Sequence, residues 1–285
     1  MKQVYFGSCS WKFPSWEKLV YSSKQPQNFL SEYAQKYSSV EIDQWFWSLG
    51  SSSYGLPDRA TVKEYDAATP SDFRFTIKCP NALTSVYAYR AGNKPNAWFL
   101  DPEVFLQFLD RIEPLIPKTG LLMFQFEYLN REKMEGRRVF VEKLLAFFDA
   151  LPKGLPYALE IRNPKWLDSS WFRFLQATKL APVLLQGYWM DDLSTLLQQS
   201  GTVLGPLACI RLHGEDRKGM EKATGEDWSQ IVSPKDAELE RLVPLLDRVI
   251  RSETVLFINV NNHYEGSSPR TIDKLQALFD KQFSL

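Results

Sequence analysis

The sequence predicts an α/β fold, a single domain over residues 1–285 built as a (β/α)8 barrel of the TIM type, with long loops after strands 1, 2, 3 and 7. Three observations lead there. Short runs rich in β-branched and aromatic residues alternate with segments of helical periodicity through the whole chain, and such alternation implies parallel strands joined by right-handed crossovers. Polar residues recur near the C-terminal end of nearly every strand, rather than at one switch point as an open doubly wound sheet would have them. The length of 285 residues, 44% of them hydrophobic, is enough for one large core.

Taken in order, Val4 to Ser10 reads as strand one, followed by a loop through residues 14–26. Asn28 to Tyr37 places Phe29, Leu30, Tyr33 and Tyr37 on one helical face. Ser39 to Asp43 is strand two, with acids alternating with Val40 and Ile42; an aromatic loop and a short helix, Asp58 to Ala68, follow. Phe73 to Cys79 is strand three, and the stretch from Pro80 to about Leu100 is long enough to suggest a functional loop. Pro102 to Ile116 has helical spacing with proline near its start. Gly120 to Phe126 is strand four and Arg138 to Leu151 a helix.

Strand five begins at Tyr157 and is stopped by Asn163-Pro164, because proline has no N–H to donate. Ser169 to Thr178 is a helix, Ala181 to Gln186 strand six, and Asp191 to Gln199 a helix. Cys209 to Gly214 is strand seven; residues 215–232 read as a polar loop, then Ser233 to Arg251 as a helix. Thr254 to Asn262 is strand eight and Ser268 to Phe279 the closing helix.

Composition narrows the partners. Lys+Arg and Asp+Glu are 34 each, so the net charge of zero lends no support to a nucleic-acid partner or a membrane surface. Cys9, Cys79 and Cys209 are far apart, so no zinc motif or disulfide framework is indicated. No long apolar run appears and the first residues lack a leader's apolar stretch, which predicts a cytoplasmic protein without a membrane partner. Neither a GxGxxG nor a GxxxxGK[ST] loop is present, so no cofactor is evident.

Strand alternation assigns a polar face made of Ser8, Ser10, Glu41, Asp43, Thr76, Lys78, Gln125, Glu160, Arg162, Gln186, Arg211, His213, Asn261 and His263. Two charges on strand five, Glu160 and Arg162, are costly unless they pair or serve a site. The catalytic candidates are His213, His263, Glu160 and Asp43; both histidines of the chain fall at strand ends, and histidine titrates near neutral pH. The substrate-binding candidates are Trp11, Trp45, Lys78, Gln125, Arg162, Arg211 and Asn261, the three cations suiting a carboxylate or phosphate.

The blocks Phe6 to Trp11, Val40 to Phe46, Phe73 to Lys78, Gly120 to Phe126, Leu159 to Trp166, Ile210 to Gly214 and Asn261 to Gly266 resemble, in order, the motifs of the YecE-like family, domain of unknown function 72. The family pattern reads GTSGW, VEINSTFY, FxFxxK, LxFQFP, VEFRxxSW, RxHG and FNNH. The resemblance implies a TIM-type barrel and supplies no activity. Ser10 stands for the second glycine of the opening motif, Asp43 for the asparagine after Glu-Ile, and Glu127 for the proline after Gln-Phe.

Three functions follow from these residues. The first is a hydrolase or lyase acting by acid–base chemistry on a small or oligomeric anionic substrate, with His213 or His263 moving the proton. The second is metal-assisted phosphodiester cleavage resembling the endonuclease IV-type barrels, a single divalent ion being held by Asp43, Glu160, His213 and His263. The third is a non-catalytic nucleic-acid or sugar-binding barrel, with Trp11, Trp45, Trp47 and Trp98 as stacking platforms.

Overall fold

The computed structural model describes residues 4–88, 92–199 and 201–283; residues 1–3 of the N-terminal stretch and 89–91 of the expected long loop lie outside the described residues. Eight parallel strands run in the order β1-β8-β7-β6-β5-β4-β3-β2. They are β1 Val4–Ser8, β2 Ser39–Ile42, β3 Arg74–Lys78, β4 Thr119–Gln125, β5 Tyr157–Glu160, β6 Ala181–Gly187, β7 Leu207–Gly214 and β8 Val255–Val260. Among the described residues the helices are α1 Phe29–Lys36, α2 Arg59–Ala67, α3 Pro102–Arg111, α4 Arg137–Asp149, α5 Ser169–Thr178, α6 Leu193–Gln198, α7 Arg217–Thr224, α8 Asp236–Arg251 and α9 Ser268–Phe283. This is the expected (β/α)8 barrel, nearly closed.

The near-closure has a chemical cause. Between β1 and β2, the first and last strands of the ladder, one phenol takes over the hydrogen bonding. The Ser8 N–H donates to the Tyr33 hydroxyl at 2.8 Å, and that hydroxyl donates to the Ser39 carbonyl at 3.1 Å. The two backbones lie so close that a Cβ on Gly7 would stand 2.4 Å from the Ser39 carbonyl oxygen, which requires glycine there.

Outside the strands, helix packing is largely aromatic. Phe124 on β4 meets Phe105, Phe147 and Phe148 at 5.4, 5.5 and 5.2 Å between ring centroids. Inside, the lower barrel is filled by Leu121, Met123, Ala158, Val183, Cys209 and Phe257, with Tyr5 stacked on Phe257.

Two elements differ from expectation. The helix expected over Pro102 to Ile116 ends at Arg111 and continues as a 3-10 turn, Glu113–Lys118, because Pro114 and Pro117 each lack an N–H for the helical ladder. The stretch 215–232, expected as a polar loop, contains α7. No side chain of that helix is fully buried and only Met220 packs against the core, too little for an apolar period; its signals are the Asp216 cap, which accepts from the Gly219 N–H, and Gly225 in the left-handed conformation after its end.

Candidate functional site

Directly above the apolar filling, the lumen-facing residues become charged. Arg211 on β7 is 1% exposed and is bound on nearly every side. Its Nε and Nη2 donate to both oxygens of Glu41, at 2.8 and 2.6 Å. Its Nη1 donates to Glu160 at 2.5 Å and to Gln125 at 3.1 Å. The second oxygen of Glu160 accepts from Arg162 Nε at 2.7 Å. The Asn259 amide donates to Glu41 at 3.1 Å and to Thr76 at 2.7 Å. Strand register explains the level: Glu41 lies beside Thr76, Gln125 beside Glu160 and Arg211 beside Asn259. Two carboxylates and two guanidinium groups thus balance each other in a buried layer.

These charges set each other's proton affinity. Burial alone raises the Glu160 carboxyl, but Arg211, Arg162 and Lys78 outweigh it and hold the group at about 2. For Arg211 burial works against the charge, and Glu160 with Glu41 more than restores it, so its proton is held more tightly than usual.

The layer is the floor of a cavity of about 550 Å³ at the C-terminal end of the barrel. Its walls include Cys9, Asp43, Lys78, Gln125, Arg162 and His213. Lys78 ends β3, is 6% exposed, and has its ammonium 3.9 Å from the centre of the Phe46 ring. Among the described residues the ammonium has neither a hydrogen-bond acceptor nor an ion-pair partner. Burial first, and the Arg211 charge second, bring its proton affinity down to about 8, against the pull of Glu41, Glu160 and Asp43. Asp43, just past β2, is pushed up to about 6 by burial and then by Glu41. Arg162 spends its Nε on Glu160 and lays its guanidinium 5.0 Å from the Tyr188 ring centre.

His213 stands with its Nε2 3.5 Å from Cys9 Sγ and its Nδ1 3.5 Å from the Tyr188 hydroxyl. Burial, then Arg211, Arg162 and Lys78, keep the ring neutral. The Cys9 thiol is pushed up by burial and by Glu41, so it is a poor nucleophile. His263 faces two acceptors, Asn261 Oδ1 at 2.5 Å from Nδ1 and Glu221 at 3.2 Å from Nε2. Both bonds exist together only in the imidazolium, which burial disfavours more than Glu221 favours it. The ring therefore makes both bonds at once only on taking up a proton.

Of the expected residues, Ser10, Glu41, Asp43, Lys78, Gln125, Arg162, Arg211, His213, Asn261 and His263 line the cavity. Glu160 lies beneath it with both oxygens occupied by arginines. Trp11 and Trp45 do not line it. Trp11 packs edge-on against Tyr65, and Trp45 is wedged between Tyr65 and Phe108, so both complete the contact between strands and helices. Trp47, 71% exposed, is the member of the expected stacking set at the cavity wall; Trp98 packs on Tyr54. Ser8 turns outward to Tyr33, since on β1 the lumen face carries Tyr5, Gly7 and Cys9. Gln186 also leaves the lumen: its carbonyl accepts from the Leu193 N–H at 2.8 Å and so caps α6.

Several wall residues were absent from the expected set. Tyr188 follows Gly187, where β6 passes so close to β7 that a Cβ would stand 2.2 Å from the Gly214 carbonyl oxygen. Tyr188 itself has φ 53°, an uncommon backbone for a non-glycine residue that aims its ring across the mouth. Arg217 and Trp228 reach the wall, and Glu221 reaches His263, from the segment expected to be loop. Among the described residues no three His, Cys, Asp or Glu side chains are grouped as a metal ion requires.

Comparison with known proteins places this geometry in context. Residues 5–284 match the family model described as protein of unknown function DUF72. UPF0759 protein YecE of Escherichia coli K12 is 28% identical over 163 residues, which is 57% of this chain and 50% of that protein; the homologous protein of strain O157:H7 matches equally. The match thus spans about half the length of these curated relatives. A DUF72 family crystal structure from Thermotoga maritima MSB8 aligns with a TM-score of 0.65 at 23% identity, over 100% of both chains. One from Enterococcus faecalis V583 aligns with a TM-score of 0.68 at 19% identity, over 97% of this chain and 95% of that one. At these identities the structural likeness bears on the fold.

Proposed function

This chain belongs to the DUF72 family of proteins of unknown function, and from its barrel mouth we propose an enzyme of hydrolase or lyase type that acts by acid–base chemistry on a carboxylate- or phosphate-bearing substrate. The observation that carries this reading is Lys78. A nearly buried ammonium with no ion pair among the described residues is unfavourable on its own, and such groups are retained where a ligand supplies the missing charge. Arg162 stands in the same wall, with its Nε on Glu160, so an anion in the cavity meets two cations of different reach.

Asp43 is the first candidate for moving the proton, because its carboxyl titrates near 6 and faces the same space. His263, coupled to Glu221, is the second. His213 serves as a neutral hydrogen-bonding wall, and Glu160 with Glu41 holds the arginines in place. In this reading the bound molecule is small or presents a small anionic end, since the floor is closed by the Arg211 layer.

The test is calorimetric binding of oxalate, succinate and inorganic phosphate to the wild type, Lys78→Met and Arg162→Ala. The reading expects at least one anion to bind and both variants to lose affinity tenfold or more. If none binds at millimolar concentration, the reading is wrong. Repeating the titration after chelation, and after adding zinc or manganese, examines the single-ion alternative.

A further inference from the structure

We propose that Lys78 is a nucleophile as well as an anchor: its amine condenses with the carbonyl carbon of a small 2-oxo acid seated in the barrel mouth, whose carboxylate lies on Arg162. This deepens the proposed function and rests on its anion site. It names the substrate class, an acid with a ketone or aldehyde next to the carboxylate.

The geometry makes the case in three steps. Lys78 reaches the cavity from the end of β3 on the face that also carries Thr76, and among the described residues no hydrogen-bond partner occupies its nitrogen. The Phe46 ring at 3.9 Å covers one side, so the open side is the cavity. Asp43 ends the neighbouring strand, one residue past Ile42, which pairs with Ile77, so carboxyl and amine sit at adjacent strand ends facing one space. Arg162 lines the same cavity from just past the end of β5.

A lysine that only anchors an anion is best served by permanent charge. Here burial and Arg211 work the other way. With its proton affinity near 8, roughly a tenth of Lys78 is free amine at pH 7, against well under a thousandth for an ordinary lysine. Of the other nucleophile types in the wall, Cys9 is a fully protonated thiol and His213 a ring engaged at both nitrogens.

The step balances without a further reactant. The ammonium of Lys78 passes one proton to the Asp43 carboxylate. The nitrogen lone pair forms a bond to the carbonyl carbon while the C=O π pair moves to oxygen. One proton moves from nitrogen to that oxygen, and Asp43 returns its proton to the resulting hydroxyl. The C–O bond breaks, water leaves, and a protonated C=N bond remains on Lys78. The positive charge present at the start is the positive charge on the iminium at the end, where it withdraws electrons from a neighbouring bond.

The experiment is reductive trapping. Full-length protein is incubated with pyruvate and sodium borohydride, digested, and mapped by mass spectrometry. The proposal expects a reduced pyruvate adduct on the peptide containing Lys78, at least tenfold above any other lysine. Oxalate, an anion without an electrophilic carbonyl, should suppress it. Lys78→Arg keeps the charge and should lose the adduct, with its circular dichroism matching wild type; if that variant fails to fold, the site mapping in wild type still decides. Labelling spread evenly over surface lysines overturns the proposal. Oxalate binding without a Lys78 adduct overturns it and leaves the anion site standing. No anion binding and no adduct removes both.

Discussion

Replacing Glu160 by glutamine probes the buried layer more sharply than any other single change. The substitution keeps the shape and removes one charge. In the native layer one Glu160 oxygen accepts from Arg162 at 2.7 Å and the other from Arg211 at 2.5 Å. A glutamine amide can accept from only one arginine and must point N–H groups at the other. Breaking a buried pair by removing one partner costs roughly 3–5 kcal/mol. The proton affinity gives an independent figure: a carboxyl held at about 2 rather than its ordinary 4.5 contributes roughly 3 kcal/mol at neutral pH. That contribution is fully present above pH 4.5 and is lost as pH falls from there toward 2, so the gap between wild type and Glu160→Gln should narrow over this window.

Arg162→Ala is the paired control. Arg162 is 12% exposed, and its loss leaves Glu160 with Arg211, so the cost should be roughly 1–2 kcal/mol. Urea denaturation at pH 7 measures both, and oxalate titration measures binding. Glu160→Gln should lose stability first, and Arg162→Ala anion affinity first. Equal stability losses, or an anion affinity untouched by Arg162→Ala, would refute the division of the layer into an anchor and a ligand arm.

Other outcomes follow from the same structure. Lys78→Met removes a buried charge that has no ion pair among the described residues and should raise stability by roughly 1–3 kcal/mol in urea while abolishing anion binding; a destabilised variant would make Lys78 structural. Trapping by pyruvate should peak between about pH 6 and 8, because below that range Asp43 holds its proton and cannot take one from Lys78, and above it no acid remains; a rate still rising at pH 9 would remove Asp43 from the step. Tyr33→Phe takes away the hydroxyl that joins β1 to β2 and should cost roughly 1–3 kcal/mol, with faster amide exchange at Ser8; unchanged exchange would show that the seam closes without it.

The barrel was legible because strand and helix periods alternate cleanly, and most of the mouth was legible because polar residues at period two stand out in buried parallel strands. The pairing of Glu160 with Arg162 followed from the cost of burying charge. What escaped did so for physical reasons. On β1 the lumen positions are Tyr5, Gly7 and Cys9, which carry no polar mark, while Ser8 advertises the wrong face. Asn259 sits inside the apolar run of β8, while the polar mark of that strand lies beyond its end, at Asn261 and His263. Trp11 and Trp45 are apolar residues on loops, where no period says which way a side chain turns. α7 sets only Met220 against the core, so Arg217 and Glu221 had no repeating pattern to place them; the caps at Asp216 and Gly225 were the available signals.

The central claim is that an anion occupies the space between Lys78 and Arg162. Crystals grown with selenate and measured at the selenium edge test it directly. The account predicts an anomalous peak within hydrogen-bond reach of Lys78 Nζ and the Arg162 guanidinium, absent in Lys78→Met. Saturating selenate with no peak in the barrel mouth, or an undiminished peak in the variant, would contradict it.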